Sequence, residues 1–157
     1  MSQLTVAELL KDKSQQAQSV SRPAVFSIAP DRTVSEAVSA MVNHEISSII
    51  VMEAGEMLGL ITLRELLRGL NSHGGDLMQA TCRHAMETSP PVAKPDDGVD
   101  YLRGWMTDLH ITRVPVVDHG VLVGIVSFHD IARSAIKDAA FENQLLKQYI
   151  KDRKSVV

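Results

Sequence analysis

Two short stretches combine residue types that can hold a phosphorylated sugar. In Gly124-Ile125-Val126-Ser127-Phe128-His129-Asp130 a hydroxyl stands three positions before a carboxylate. The apolar, β-branched run ahead of Ser127 reads as a buried strand. Ser127 is a helix-capping type, and Asp130 falls in the first turn of the helix it would cap. The corner therefore sets a hydroxyl and a carboxylate beside the free N–H groups of a helix N-terminus. The carboxylate can accept from a sugar diol, and the amides suit a phosphate. Gly59-Leu60-Ile61-Thr62-Leu63-Arg64-Glu65 makes the same corner earlier in the chain. Taken singly, each corner is first of all a helix cap.

The flanking sequence supplies the elements that would position these corners. Thr5 and Glu8 form a capping-box pair opening a short amphipathic helix over 5–10, and the polar, Gln- and Ser-rich stretch 11–21 reads as a loop. A short strand over 25–28 stops at Pro30. Thr33 and Glu36 form a second capping box, and Val34, Ala37, Val38, Met41 and Val42 follow at helical spacing. Residues 49–52 and 57–61 read as a hairpin turning at Ala54-Gly55, and Thr62 caps a helix to about Leu70. After His73-Gly74-Gly75 a helix is expected over 77–86. The order then repeats as a strand over 91–93, a helix over 99–109, a hairpin turning at His119-Gly120, and a helix capped by Ser127. That last helix continues with Ile136, Ala139, Ala140, Asn143, Leu146 and Ile150 along one stripe.

The repetition is a duplication. Pro30 and Pro95 stand 65 residues apart, and at that spacing, without a gap, Asp31 meets Asp96, Val34 meets Val99 and Met41 meets Met106. Ile46 meets Ile111, Val51 meets Val116, Gly55 meets Gly120, Gly59 meets Gly124 and Arg68 meets Arg133. Thr62 meets Ser127, and Glu65 meets Asp130. Each copy is too short to cover both faces of its own sheet, so the two should pack together. The expected organisation is an N-terminal helix and loop over 1–22, repeats over 23–72 and 90–136, a linker with a helix over 73–89, and a helical extension over 137–157.

Composition narrows the function. The 157 residues are 45% hydrophobic, 4% aromatic and 22% charged, which is globular with an aliphatic core. Trp105 and the methionines fall at core spacing. A net charge of −3 provides no general basic field for nucleic acid or an anionic membrane. The single cysteine, Cys82, excludes an intrachain disulfide and reads as a small buried residue in a reducing compartment. Neither a signal pattern nor a membrane-length apolar run is seen, so the cytoplasm is expected. The six histidines show no metal spacing. No nucleophile–base pair or glycine-rich phosphate loop suggests an enzyme.

The pattern resembles the cystathionine-β-synthase (CBS) domain family, and two copies resemble its pseudo-symmetric pair, the Bateman module. The matching residues are Pro30 to Ala37 with Met41, Gly59-Leu60-Ile61-Thr62, Thr112-Arg113-Val114-Pro115-Val116-Val117-Asp118 and Gly124 to Ile131. The resemblance implies an α/β fold of tandem strand-helix-hairpin-helix repeats. It also implies an adenine ligand, AMP, ADP, ATP, NAD or S-adenosylmethionine, in clefts between the copies. The corner carboxylate would hold the ribose. The corner hydroxyl and nearby basic residues would meet phosphate, and apolar side chains would flank the base. In the second cleft these are Ser127 and Asp130, with Thr112, Arg113 and His129 toward phosphate and Ile28 and Ala37 at the base; Val114 and Pro115 are counted among the ligand-binding residues. In the first they are Thr62, Arg64 and Glu65, with Ser47, Ser48, Ala93 and Leu102.

Two departures stand out. Glu65 occupies the place of the family's Asp, and its extra methylene can spoil a two-point diol contact. The second copy has no glycine near His110. The second cleft is therefore the expected site, and the first is expected to be empty or to take another ligand. The implied function is a stand-alone regulatory module that senses an adenine nucleotide and acts on an unidentified target protein; the competing reading is a dimerisation scaffold with empty clefts. A homodimer is expected, because the helices after each corner and the C-terminal stripe leave apolar surface uncovered.

Overall fold

The computed structural model describes residues 4–18, 25–136 and 147. Each repeat contributes a helix and an antiparallel hairpin, and the elements coincide at the sequence offset. Helix α2 (Val34–Asn43) corresponds to α5 (Val99–Leu109). Strands β2 (Ser48–Glu53) and β3 (Glu56–Thr62) correspond to β5 (Arg113–Asp118) and β6 (Val121–Ser127). Even the irregularity repeats: the register shifts at Val51/Met52 in one hairpin and at Val116/Val117 in the other. Helix α3 (Leu63–His73) follows the first corner, and α6 (128–136) follows the second.

The first hairpin sits in a four-stranded sheet of order β1-β2-β3-β4, where β1 is Ser27–Ile28 and β4 is Glu87–Thr88. The second hairpin forms a two-stranded sheet. Three apolar clusters fill the interior. Ala37, Met41, Ile49, Val51, Ile61 and Cys82 make the core of repeat 1. Leu102, Met106, Val114, Val116, Val126 and Ile131 belong to that of repeat 2. Ile50, Leu60 and Ile125 join the two repeats.

The helices that complete these cores are exchanged. Helix α1 (Val6–Gln18) precedes repeat 1 but docks on repeat 2. The Val6 amide donates to the Asp97 carbonyl at 2.9 Å, the Ala7 amide to Pro95 at 2.8 Å, and the Val99 amide to Leu4 at 2.9 Å. Helix α4 (Cys82–Ala85) precedes repeat 2 but docks on repeat 1 in the same way. Cys82 donates to Arg32 at 2.8 Å, Arg83 to Pro30 at 3.0 Å, and Val34 to Ala80 at 2.8 Å. Burial pushes the Cys82 thiol up to about 11, with Glu36 adding to the effect, so it stays a neutral thiol.

Several sequence expectations need correction. The loop expected over 11–21 is helical to Gln18. The helix expected over 77–86 is instead a 3₁₀ segment, Gly74–Gln79, followed by the single turn of α4. The strand expected over 25–28 pairs only at Ser27–Ile28. That expected over 91–93 is a lone bridge from Ala93 to Val116, since the prolines before it lack an amide to donate. The Thr33 box is half formed: Thr33 accepts from the Glu36 amide, but the Glu36 carboxylate pairs with Arg32. Met78 is exposed rather than core, and Trp105 packs at the edge of its core. The stripe at Ala139 to Ile150 lies outside the described residues. His110 closes α5 at φ 55°, a left-handed conformation that glycine adopts without strain.

Gly59 and Gly124 are the closest approaches between hairpins and docked segments. A Cβ on Gly59 would meet the Glu87 carbonyl oxygen and the Met86 sulfur, both at 2.6 Å. On Gly124 it would meet only the tip of Leu10, at 2.9 Å. Gly59→Ala should therefore destabilise by about 1–3 kcal/mol through overpacking against backbone. Gly124→Ala should cost clearly less, because a leucine rotamer can yield. Urea denaturation of both variants checks the order, and equal losses would contradict it.

Candidate functional site

The two corners have the same local design and different surroundings. At the first, Thr62 caps α3 by accepting from the Arg64 amide at 3.2 Å. Glu65 Oε1 returns the favour, accepting from the Thr62 amide at 3.0 Å and the Thr62 hydroxyl at 2.8 Å. Glu65 is buried, and its Oε2 is the one buried side-chain polar atom without a partner among the described residues. A buried acceptor left unpaired is costly, so this oxygen marks a place for a donor.

At the second corner the Asp130 carboxylate has three donors. Its Oδ2 accepts from the Ser127 amide at 3.0 Å and from Lys13 Nζ at 2.9 Å, and its Oδ1 accepts from Arg133 at 2.9 Å. The Asp130 amide donates to the Ser127 hydroxyl at 3.0 Å. Burial alone would raise the carboxyl. The Ser127 amide, Lys13 and the Ser127 hydroxyl outweigh it and hold the carboxyl below its ordinary value of 3.8.

A cleft of about 660 Å³ opens beside the first corner and reaches across to repeat 2. Of the sequence-predicted residues, Ser47, Thr62, Arg64 and Glu65 line it from repeat 1, and Thr112, Arg113 and His129 from repeat 2. The structure thus regroups the two expected sets: the cations assigned to the second carboxylate face the same space as the first. Sequence reasoning had not placed Arg68, His110 and Phe128 here, yet they also line the cleft. Arg68 sits one turn beyond Arg64 on α3, a spacing visible in the sequence.

The other predicted residues lie elsewhere. Ser127 and Asp130 are buried at their own corner, and neither they nor Ile28 and Ser48 line this cleft. Ala37 and Leu102 are sealed inside the two cores, and Ala93, Val114 and Pro115 are also buried. Two arginines tie the walls together. Arg64 donates to the His110 carbonyl, and Arg113 Nε donates to the Ser47 hydroxyl at 3.0 Å. Burial lowers the Arg113 pKa, an effect that nearby Asp130 opposes. No group of three or more His, Cys, Asp and Glu residues is placed to hold a metal among the described residues. No described helix is long and apolar enough to cross a membrane.

The duplication is what the family comparison finds as well. The family model described as "CBS domain" matches twice, over residues 17–72 and 82–137. The chain belongs to the CBS domain family. Among curated CBS proteins, YhcV of Bacillus subtilis is 32% identical over 108 residues, 69% of this chain and 76% of its own. A CBS-domain containing protein of Agrobacterium tumefaciens has a solved structure with a TM-score of 0.75 and 27% identity. The match covers 84% of this chain and 99% of that one. A CBS domain pair solved with 5′-methylthioadenosine and S-adenosyl-L-methionine gives 0.70 at 24% identity, over 87% of this chain and 99% of that one. CBSX2, solved in complex with AMP, gives 0.64 at 20% identity, over 75% and 92%. The last two likenesses establish fold. The chain is a tandem CBS pair of α/β repeats, the architecture of the Bateman module.

The Asp130 network has a defined pH signature. Because the folded carboxyl is held below 3.8, its contribution is present above the ordinary value and disappears as pH falls through the folded one. The stability gap between the wild type and Asp130→Asn should be largest near neutrality. It should close as pH falls below the ordinary carboxyl value of 3.8 and through the lower folded one. Guanidinium denaturation across that range measures it, and a gap independent of pH would contradict the network.

Proposed function

We propose that this CBS pair is a non-catalytic regulatory module that binds an adenine nucleotide in the cleft between its repeats and thereby modulates a partner protein. The observation that carries this reading is the unpartnered Glu65 Oε2. It belongs to a cleft that also contains Arg64, Arg113 and His129. A ribose diol on Glu65 supplies the missing donor. The two arginines, with Thr62 and Thr112, suit phosphate, because a guanidinium offers charge-assisted, two-point contacts. Leu60, Ile111 and Phe128 offer apolar surface for the base. The AMP, methylthioadenosine and S-adenosylmethionine complexes of related pairs support an adenine ligand. AMP, ADP, ATP and NAD are the candidates. In this reading Glu65 takes the part that sequence assigned first to Asp130.

The alternative is a dimerisation scaffold without nucleotide. Asp130 favours it to the extent that the second corner already has its partners within the chain. Either way we propose a cytoplasmic homodimer. Leu63, Leu67 and Leu70 stand exposed at spacings of four and three along α3, and Phe128 and Ile136 are exposed on α6. A two-fold axis lets one such stripe serve both chains.

Titration calorimetry with AMP and adenosine tests the nucleotide reading. Glu65→Gln keeps an acceptor for the Thr62 cap but replaces the unpartnered oxygen with a donor. It should weaken both ligands by about 1.5–3 kcal/mol per charged hydrogen bond lost. Arg113→Ala should weaken AMP and leave adenosine nearly unchanged; equal losses for the two would remove Arg113 from the phosphate. Absence of heat and of any thermal shift with AMP, ADP, ATP and NAD would return the protein to the scaffold reading.

Light scattering tests the dimer. The wild type should give twice the chain mass at micromolar concentration, and Leu70→Asp should shift it toward the monomer. A monomeric wild type sinks the proposal.

A further inference from the structure

The docked helices diverge after equivalent residues. Val6 and Cys82 stand 76 residues apart and make the same backbone bond to opposite repeats. At that spacing Leu10 matches Met86, and these two side chains oppose Gly124 and Gly59 respectively. In repeat 1 the chain then leaves α4 and pairs with β3 as the short strand β4. In repeat 2 it stays helical to Gln18. One turn after Leu10, Lys13 reaches the second corner. Its Nζ donates to Asp130 Oδ2 at 2.9 Å and to the Ile125 carbonyl at 3.0 Å.

We propose that Lys13 is a tethered occupant of the second corner, so that a nucleotide gains the Asp130 site only when Lys13 is removed or displaced. The inference rests on the nucleotide reading and deepens it. A carboxylate offers about four acceptor positions. On Asp130, the Ser127 amide and Lys13 fill Oδ2, while Arg133 takes one position of Oδ1 and leaves the other free. On Glu65 both bonds come from Thr62, and Oε2 receives none. The corner with the shorter carboxylate thus has a tethered ammonium on it, and the corner with the longer one keeps a buried oxygen without a partner. Lys13 is 29% exposed, against 6% for Asp130, so the ammonium can leave toward solvent while the carboxylate stays. A ligand at Asp130 competes with a group of high local concentration, so the Glu65 corner fills first.

Counting AMP per chain separates this inference from the reading beneath it. Calorimetric stoichiometry, checked by native mass spectrometry, is measured for the wild type, Lys13→Met, Lys13→Arg and Lys13→Met/Asp130→Asn. Lys13→Met keeps an apolar stem along α1 and removes the ammonium. At AMP concentrations that saturate only the first site of the wild type, it should bind one more AMP per chain than the wild type. Lys13→Arg, which retains a cation for Asp130, should show no increment, and the double variant should lose the added AMP. No increment in Lys13→Met, in protein whose circular dichroism matches the wild type, overturns the inference while wild-type binding leaves the nucleotide reading standing. An increment that persists in the double variant also overturns it, because the new site is then not at Asp130. Absence of AMP from wild type and variants alike defeats both.

Discussion

The exchange of docking helices is the constraint on which the rest of the molecule depends. Repeat 2 buries Val6 and Leu9 from a helix that precedes repeat 1, and repeat 1 buries Cys82 from a helix that precedes repeat 2. Each helix is fixed by backbone hydrogen bonds. Drawing the repeats apart would uncover both cores at once, as well as the contact of Ile50 and Leu60 with Ile125. A buried apolar side chain of this size stabilises by roughly 1.5–3 kcal/mol. The two repeats therefore form one cooperative unit, and the space between them keeps a defined shape without any disulfide.

The same exchange breaks the symmetry that duplication created. The two hairpins and their corners superimpose in register, down to the position of the irregularity. The segments that follow the docked helices do not. Pairing of Glu87–Thr88 with β3 extends the first sheet. Continuation of α1 instead brings a lysine onto the second carboxylate. Two corners with nearly the same chemistry thus acquire opposite states. One carboxylate is satisfied by three donors from the chain, and the other keeps a buried oxygen beside an open cleft.

Most of the fold was legible because the duplication is gapless: Pro30 with Pro95 and Gly59 with Gly124 carry helix, hairpin and corner with them. What was not legible depends on contacts distant in sequence. The stretch after Leu10 looks like a loop because it is polar. Glutamine and lysine are nevertheless good helix formers, and the tie from Lys13 to Asp130 spans 117 positions. For the site, residue type pointed to Asp130 over Glu65. That ranking weighed carboxylate length and could not see which carboxylate already had partners. Arg113 and His129 stand out in the sequence by residue type, but their grouping with Thr62 and Glu65 in one cleft follows from how the repeats face each other. Ala37 and Leu102 fit an apolar motif position, and the packing of each repeat encloses them.

The cleft also suggests how occupancy can be felt elsewhere. Its walls are bridged by two arginines that run in opposite directions, Arg64 from repeat 1 to the His110 carbonyl and Arg113 from repeat 2 to Ser47. On the proposed nucleotide reading, a phosphate that competes for either guanidinium would loosen a bond between repeats, while a diol on Glu65 would bind to repeat 1. The ligand's free energy would then be exchanged directly against inter-repeat contacts. Only such a difference in contacts allows binding to shift a conformational equilibrium. Leu63 and Leu67 line the same cleft and belong to the exposed face of α3. One helix, capped by Thr62, therefore carries the carboxylate, two cleft arginines and the uncovered leucines. Any adjustment of α3 at the cleft moves that leucine face with it, because a packed helix shifts as a rigid element.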